Sequence, residues 1–394
     1  MSAIMPTYGR LDVTFVRGEG TWLFDTDGEA YLDGVSGIAV TNLGHGHPAI
    51  TAAIQQQAGQ LLHTSNLYHI PAQQQLAATL TTATGMDSVF FCNSGAEANE
   101  TAIKLARLYG HRRGLVQPKI LVLESAFHGR TMGALSATGN ARIREPFAPL
   151  LPGFIRVPRN DLEAIMRAGQ EHNDIAAVHL EPVQGEGGVH ALDPDYLNAL
   201  RTLCDQQGWL LSFDEVQSGN GRCGALFAFQ RMGVSPDVLA TAKGLGNGIP
   251  IGACLTRGAA SAVLGPGDHG TTFGGSPFAC AVAQAVTDTL IDQQLWTRAD
   301  PIRESLLQGF TEALVAHDRV RDIRGLGLMI GIELDMDCST LVQLALERRL
   351  LINVTAGKTV RLLPPLVMSD DDAAALGRGL AAVVNDAALM ETQQ

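Results

Sequence analysis

The sequence has few charged residues for its length and no excess of positive charge. Of its 394 residues only 17% are Asp, Glu, Lys or Arg, 46% are hydrophobic, and the formal net charge is −12. Binding to a nucleic-acid backbone requires a basic surface, so this composition argues against a nucleic-acid partner. The large apolar fraction predicts a globular enzyme with a substantial core and, at this length, two domains.

The sequence has no CxxC cysteine pair, and we expect neither a leader peptide nor a membrane-spanning run. None of the six cysteines belongs to a CxxC motif, and several lie in apolar segments. We therefore predict reduced, buried thiols in a cytoplasmic protein. The N-terminal residues MSAIMPTYGR lack the basic and apolar regions of a signal peptide, and no apolar run reaches membrane-spanning length, so no membrane partner is expected. His45 and His47 have no third ligand nearby, and we predict no metal site.

The most informative stretch is residues 210–250, LLSFDEVQSGNGRCGALFAFQRMGVSPDVLATAKGLGNGIP. An apolar run that ends in Asp214 and Glu215 predicts a buried parallel strand with carboxylates at its carboxyl edge. A second apolar strand, residues 237–242, leads into Lys243 and a glycine-rich turn. Pyridoxal phosphate needs two such anchors, because its aldehyde forms a Schiff base with a lysine and its pyridinium nitrogen pairs with a carboxylate. We therefore predict a pyridoxal phosphate site between Asp214 and Lys243.

Strand-like and helix-like segments alternate through the first two thirds of the chain. This alternation predicts an α/β fold with a large, mostly parallel sheet and helices on both faces. We assign residues 51–289 to this large cofactor-binding domain. Residues 290–394 are assigned to a smaller α+β domain, and the N-terminal segment, residues 1–50, is expected to pack with it.

The segment NSGAEANETAIKLAR predicts the start of a helix that could hold a phosphate. Ser94 is placed to cap the helix, and Glu97 three residues later completes a capping box. The small residues Ser94, Gly95 and Ala96 leave backbone N–H groups free at the positive end of the helix. An ordinary capped helix without a ligand gives the same pattern, so both interpretations stay open at this point.

Eight blocks of sequence, in order, resemble the class III pyridoxal-phosphate-dependent aminotransferases, which have fold type I. They span nearly the whole chain, and the acetylornithine aminotransferases are the most similar group. The blocks are LFDTDGEAYLDGVSGIAVTNLGHGHP, FFCNSGAEANETAIKLAR, SAFHGRT, EPVQGEGGV, DEVQSGNGR, ATAKGLGNGIPIGA, TTFGGSPFACAVA and IRGLGLMIGIEL.

The resemblance implies a role for each matching residue. Lys243 is implied as the Schiff-base lysine and Asp214 as the partner of the pyridine nitrogen. Cofactor contacts are implied for Ser94, Gly95, Ala96, Phe127, Glu215, Val216, Gln217 and, from the partner subunit of a homodimer, Thr272. Substrate contacts are implied for Arg130, Glu186, Thr271 and Arg361, with Glu186 acting as a switch that pairs with Arg361 or releases it for glutamate.

The activity implied is transfer of the δ-amino group of N-acetylornithine to 2-oxoglutarate, which gives N-acetylglutamate 5-semialdehyde and glutamate and would serve arginine synthesis. Ile38 stands where ornithine aminotransferases have a tyrosine, which favours an N-acylated substrate. Succinylornithine, 4-aminobutyrate or an aminoadipate-type amine remain alternative donors. A pyridoxal-phosphate epimerase or mutase on the same fold remains an alternative class of enzyme. A dinucleotide-binding oxidoreductase ranks last, because GLGNG is not a GxGxxG motif. Asn220, Cys223 and Ser276 depart from the family pattern.

Overall fold

The computed structural model describes residues 3–392, which form three sheets of four or more strands and a small two-stranded ribbon. The strands are β1 (Phe15–Glu19), β2 (Trp22–Asp25), β3 (Ala30–Asp33), β4 (Ser88–Cys92), β5 (Lys119–Leu123), β6 (Phe154–Val157), β7 (Ile175–Leu180), β8 (Val183–Gln184), β9 (His190–Ala191), β10 (Leu210–Asp214), β11 (Val238–Thr241), β12 (Gly252–Thr256), β13 (Val320–Leu326), β14 (Met329–Leu334), β15 (Leu350–Leu351), β16 (Asn353–Thr355) and β17 (Thr359–Leu362). The helices are α1 (Ser36–Ala39), α2 (Pro48–Ala58), α3 (Pro71–Thr84), α4 (Gly95–Arg112), α5 (Met132–Ala137), α6 (Ala141–Arg144), α7 (Leu162–Glu171), α8 (Pro194–Gln207), α9 (Ala228–Met232), α10 (Pro277–Asp292), α11 (Ala299–Ala313), α12 (Leu341–Glu347) and α13 (Asp370–Thr392).

The largest sheet has seven strands in the order β4-β12-β11-β10-β7-β5-β6. The pairs from β11 to β6 are parallel, whereas β12 runs antiparallel to both β11 and β4. Every residue of β7, β10, β11 and β12 is buried, which explains their near-continuous apolar sequences. The predicted α/β fold with a mostly parallel sheet is confirmed.

The register of β10 and β11 brings the two predicted anchors to one edge of this sheet. Asp214 at the end of β10 lies opposite Ala240 of β11, and Lys243 follows two residues after β11 ends. Parallel strands present their carboxyl ends at the same edge, where ligands bind in open α/β sheets. The apolar patterns that ended in Asp214 and Lys243 therefore predicted their common location.

One of the two smaller four-stranded sheets joins the N-terminal segment to the C-terminal part of the chain. One is antiparallel, in the order β13-β14-β17-β16, and the other, β1-β2-β3-β15, adds Leu350–Leu351 to the N-terminal hairpins. Residues 350–355 are divided between the two sheets, with β15 pairing with β3 and Asn353–Thr355 pairing with β17. This pairing supports the assignment of residues 1–50 to the C-terminal part, although the domain boundaries stay a prediction.

Helix α13 is the one helix within residues 3–392 that is long and apolar enough, by length and composition, to cross a membrane. The sequence was expected to contain no such stretch. In the structure α13 packs against α11 over much of its length, and 44% of the stretch in question is buried. Core helices of globular proteins pass the same test. The six cysteines are buried and unpaired, as predicted.

Candidate active site

A cavity of about 390 Å³ opens at the carboxyl ends of β10 and β11. Lys243 and Asp214 both line it, as do the first residues of α4, Ser94 to Ala96. Further lining residues predicted from the sequence are Phe127, Arg130, Val216 and Gln217. Residues from four separate segments of the chain therefore meet in one cavity at the sheet edge.

Asp214 is buried and held by three hydrogen-bond donors. Its Oδ2 accepts from Asn99 Nδ2 at 2.7 Å and pairs with His128 Nδ1 at 2.8 Å, and its Oδ1 accepts from the Val216 N–H at 3.1 Å. Burial alone raises the pKa of this carboxyl, but the hydrogen bond and the charge of His128, with weaker contributions from His179 and the Val216 N–H, bring the pKa below its usual value. Asp214 is therefore an anionic group at the wall of the cavity.

A second histidine lies behind this pair. The rings of His128 and His179 are 4.4 Å apart, and His179 Nδ1 contacts Ser212 Oγ at 2.8 Å. Burial, followed by the charge of His128, lowers the pKa of His179 to about 3, so its ring is neutral. Ligand atoms of His128, His179 and Asp214 lie within 4.8 Å of one another, a spacing that a metal ion could use. Because Asp214 Oδ2 is bonded directly to His128 Nδ1 and to Asn99 Nδ2, we interpret the group as the polar support of Asp214.

Lys243 occupies a backbone conformation that side chains rarely adopt. Its φ is +47°, at the start of the short 3₁₀ turn Lys243–Leu245 that follows β11. Burial first, and the charge of Arg361 second, lower the pKa of its amine to about 8, although Glu186, Asp214 and Glu181 act in the opposite direction. A lysine with this pKa is partly neutral near neutral pH and can act as a nucleophile or a base.

The N-terminus of α4 forms the opposite wall. Ser94 caps the helix, because its Oγ accepts from the Glu97 N–H at 3.2 Å. The predicted capping box is wrong in its second half: the Glu97 carboxylate accepts from the N–H of Asn93, at 2.6 Å, instead of from that of Ser94. The N–H groups of Gly95 and Ala96 have no partner within the helix because they belong to its first turn. Both residues face the cavity.

Arg361 is fully buried and lies in a cluster of acceptors near Lys243. Its Nη1 donates to Glu186 Oε1 at 2.6 Å and to Gln217 Oε1 at 3.3 Å, and its Nη2 donates to Asn353 Oδ1 at 2.6 Å. The Glu186 side chain is partly exposed. The structure therefore brings together the predicted Arg361–Glu186 pair.

Arg130 is exposed at the rim of the cavity. Its guanidinium carbon lies 5.5 Å from the ring centroid of Phe127, within cation–π distance. Among the four predicted substrate-binding residues, Arg130 is the one that lines the cavity.

Glu215, expected at the cofactor, is turned away from the cavity. Its carboxylate accepts from the N–H groups of Ala228 and Phe229, at 2.6 and 2.8 Å, and from Ser218 Oγ at 3.1 Å. Burial raises the pKa of Glu215 to about 7 despite these donors. Its observed role is therefore to hold the start of α9, and it is not among the residues that line the cavity.

The two predicted threonines lie at the edge of the site. Thr271 Oγ1 accepts from Nδ2 of Asn93, a residue of the cavity wall, at 3.2 Å. Thr272 and the neighbouring Phe273 are exposed, and Thr272 does not line the cavity of its own chain.

Three residues of the site were not assigned a role from the sequence. Asn99 and His128 hold Asp214, and Glu181 Oε2 accepts from the Phe127 N–H at 2.9 Å. Burial raises the pKa of Glu181 to about 7. Three features of the sequence could have indicated these residues: Asn99 is a polar residue on an apolar helix face, His128 is next to Phe127, and Glu181 follows directly after β7.

The departures from the family pattern have structural roles. Asn220 is buried and bonds to residues next to Lys243, and Ser276 caps α10 by accepting from the Ala279 N–H at 3.2 Å. Cys223 is fully buried, and burial raises the pKa of its thiol. His45 contacts Asp33 at 2.8 Å, and the same carboxylate caps the left-handed turn that carries Ile38.

The sequence is similar to those of known proteins along almost the whole chain. The sequence profile of the family described as Aminotransferase class-III matches residues 4–384. Acetylornithine aminotransferase of Nitrosomonas europaea is 53% identical over 373 residues, 95% of each chain, and that of Methanocaldococcus jannaschii is 45% identical over 370 residues, covering 94% of this chain and 92% of that protein.

Solved structures are similar in fold as well. Ornithine aminotransferase of Toxoplasma gondii superposes with a TM-score of 0.92 at 32% identity, covering 98% of this chain and 93% of that one. N-acetylornithine aminotransferase of Stenotrophomonas maltophilia has a TM-score of 0.84 at 33% identity, covering 98% of both chains.

Proposed function

The chain belongs to the class III aminotransferases, and on that premise we propose that it transfers the δ-amino group of N-acetylornithine to 2-oxoglutarate. The products are N-acetylglutamate 5-semialdehyde and glutamate. Class III aminotransferases use pyridoxal 5′-phosphate. The observation that carries the proposal is that Lys243 and Asp214 line one cavity together with the N-terminus of α4. The substrate is supported by relatives named acetylornithine aminotransferase that are 45–53% identical to this chain.

The cavity fits this cofactor in shape and in charge. A Cβ atom on Gly95 would lie 2.5 Å from Val216 Cγ1, so only glycine allows the start of α4 to come this close to the loop after β10. The free N–H groups of Gly95 and Ala96 would hold the phosphate, with Ser94 beside them. Asp214, kept anionic by His128 and Asn99, would pair with the ring nitrogen.

When bound, pyridoxal phosphate supplies an aldehyde that takes up the amino group and a ring that withdraws electrons from the reacting carbon. Lys243 Nζ would hold the cofactor and then move the proton, because its lowered pKa of about 8 leaves a share of the amine free to accept one. Val216 and Phe127, both part-exposed in the cavity wall, would contact the two faces of the ring, and Gln217 would reach its phenolic oxygen.

Three charged residues would choose between the substrates. Arg361, a planar fork donor, suits the α-carboxylate of glutamate, and Glu186 occupies it in this structure at 2.6 Å. With this pair closed, N-acetylornithine would bind with its carboxylate on Arg130 and with Thr271 beside it. Glutamate would displace Glu186 and bind Arg361 directly. One site could thus accept two carboxylate substrates of different length.

A homodimer would complete the site. Thr272 is exposed beside Phe273, whose side chain is 66% exposed, and it would reach the phosphate in the partner's cavity. The enzyme would act in the cytoplasm, in agreement with its six unpaired, buried thiols, and would serve arginine synthesis.

Ile38 favours an acylated donor over free ornithine. It lies in the left-handed turn α1, is 38% exposed, and is two residues from Val40, which lines the cavity. An apolar side chain there offers no hydroxyl for a free α-amino group. Succinylornithine, 4-aminobutyrate and aminoadipate-type amines remain the donors to compare.

The test is a spectrum of the cofactor-loaded enzyme, recorded before and after N-acetylornithine and then after 2-oxoglutarate. We expect the visible band of the bound cofactor to disappear with the amine and to return with the keto acid. A band that responds only to another ω-amine would refute the substrate. Turnover without 2-oxoglutarate would indicate an epimerase or a mutase instead.

A further inference from the structure

A buried asparagine is hydrogen-bonded to the peptide group that joins Ala242 to Lys243. Asn220 is 2% exposed, and its Nδ2 donates to Thr241 Oγ1 at 3.0 Å and to the carbonyl oxygen of Ala242 at 3.2 Å. That carbonyl belongs to the same planar peptide group as the nitrogen of Lys243. A hydrogen bond to it therefore restrains the plane from which the Lys243 side chain departs.

The restraint matters because Lys243 is in an unfavourable conformation. A φ of +47° is rare for a residue with a side chain and persists only when surrounding groups hold it. The Leu245 N–H also donates to the Ala242 carbonyl, at 2.9 Å, but it belongs to the same short turn and moves with it. Asn220 lies 23 positions earlier in the chain, after β10, and supplies the anchor from outside the turn.

Asn220 is itself held in place. Its φ is +57°, a conformation that asparagine tolerates better than most residues, and its carbonyl accepts from Asn42 Nδ2 at 2.8 Å. The two asparagines also pack against Gly244, where a Cβ atom would lie 2.4 Å from Asn42 Nδ2 and 3.0 Å from Asn220 Cβ. A continuous, buried hydrogen-bonded chain thus connects the N-terminal segment to the residue before Lys243.

We propose that Asn220 is a positioning residue for Lys243, which fixes the Ala242–Lys243 peptide so that the amine points into the cavity. The inference rests on the proposed function for the role of Lys243, but not on the identity of the amino donor. Asn220 is not among the residues that line the cavity. Its effect should therefore appear in the rates of steps that use the Lys243 amine, and not in substrate affinity.

The test compares Asn220→Gly, which keeps the backbone conformation and removes the amide, with Thr241→Val, which removes one acceptor. Two rates are measured: attachment of pyridoxal phosphate to the apoprotein at fixed pH, and kcat with the best amino donor. For Asn220→Gly we expect both to fall about tenfold, the equivalent of about 1.4 kcal/mol or roughly one buried hydrogen bond, with KM unchanged within about twofold. For Thr241→Val we expect a smaller fall, about threefold.

Asn160→Gly is the matched control, since Asn160 also has a positive φ, of 55°, and accepts a hydrogen bond, but follows the edge strand β6. It should leave both rates unchanged. A lower Tm for Asn220→Gly with unchanged rates would overturn the proposal and leave Asn220 a structural residue. If Asn220→Gly does not fold, the comparison of Thr241→Val with Thr241→Ser tests the proposal instead. Serine keeps the hydroxyl acceptor for Asn220, so Thr241→Ser must have the wild-type rates. Failure of the wild type to use N-acetylornithine would refute the substrate alone, because cofactor attachment needs no donor.

Discussion

Replacing Glu186 with glutamine tests whether the Arg361–Glu186 pair selects the substrate carboxylate. Arg361 is 1% exposed and donates to Glu186 at 2.6 Å, whereas the Glu186 side chain is 35% exposed. A glutamate molecule must displace Glu186 before its carboxylate can bind Arg361. The strength of this hydrogen bond is therefore subtracted from the binding free energy of glutamate.

The magnitude follows from the loss of one charge. A hydrogen bond to a charged group contributes about 1.5–3 kcal/mol, and one between neutral groups about 0.5–1.5 kcal/mol. Glutamine keeps an acceptor but removes the charge, so displacement should become easier by about 1 kcal/mol, at the low end because Glu186 is partly exposed. We expect kcat/KM for glutamate to rise about fivefold. For N-acetylornithine it should fall by a similar factor of about five, because the charge of Arg361 is no longer neutralised by a carboxylate and draws the substrate carboxylate into an unproductive position.

Single-turnover kinetics of each half-reaction, followed by the absorbance of the bound cofactor, measure these changes separately. The matched control is Glu163→Gln, since Glu163 lies in an exposed ion pair with Arg167 at 3.6 Å. We expect no change in either half-reaction for the control. If Glu186→Gln changes both half-reactions by the same factor and in the same direction, the pair does not discriminate between substrates and the reasoning is refuted.

Four further predictions concern Lys243, Glu215 and Thr272. The rate at which pyridoxal phosphate attaches to the apoprotein, measured by stopped-flow absorbance, should rise with pH around a midpoint of about 8, because burial and then Arg361 lower the pKa of Lys243. Arg361→Met should move this midpoint to higher pH, and an unchanged midpoint would contradict the role of Arg361 in lowering the pKa. As the folded-state pKa lies below the unfolded value, this group should also make the apoprotein more stable as pH rises from about 8 to about 10.5. Glu215→Gln should lower the free energy of unfolding in urea by about 1–3 kcal/mol, because its NH₂ group would face the N–H of Ala228 or Phe229; equal stability would refute the capping role. Mixed dimers of Lys243→Ala and Thr272→Ala chains should regain one intact site only if Thr272 acts across the dimer, and inactive mixed dimers would place it in its own chain's site.

Sequence patterns predicted the strands that carry the site, because buried parallel strands are apolar throughout and end in polar residues. The strand predicted over residues 237–242 is β11, Val238–Thr241. The reversed strand β12 was missed. Its short apolar run, Gly252–Thr256, follows a glycine-rich turn and carries no signal of direction, which depends on pairing with β11 and β4.

The orientation of individual side chains was harder to predict. Asp214 and Glu215 are adjacent, and consecutive residues of an extended segment point to opposite sides, so only one carboxylate could face the cavity. Which one depends on the packing of α9, whose first N–H groups bind Glu215. The partners of Asp214 come from β5–α5 and from α4, and their convergence is a property of the folded chain. Asn220 was visible only as an unexplained difference until its buried hydrogen bonds were seen.

The most direct test of the central claim is to reduce the cofactor-loaded enzyme with borohydride and to map the modified lysine by mass spectrometry. The chain has only four lysines, of which Lys104, Lys119 and Lys358 lie outside the cavity. We predict one reduced cofactor per chain, attached to Lys243, and no label in Lys243→Ala. Attachment to any other lysine, or no attachment at all, would contradict the account of the site.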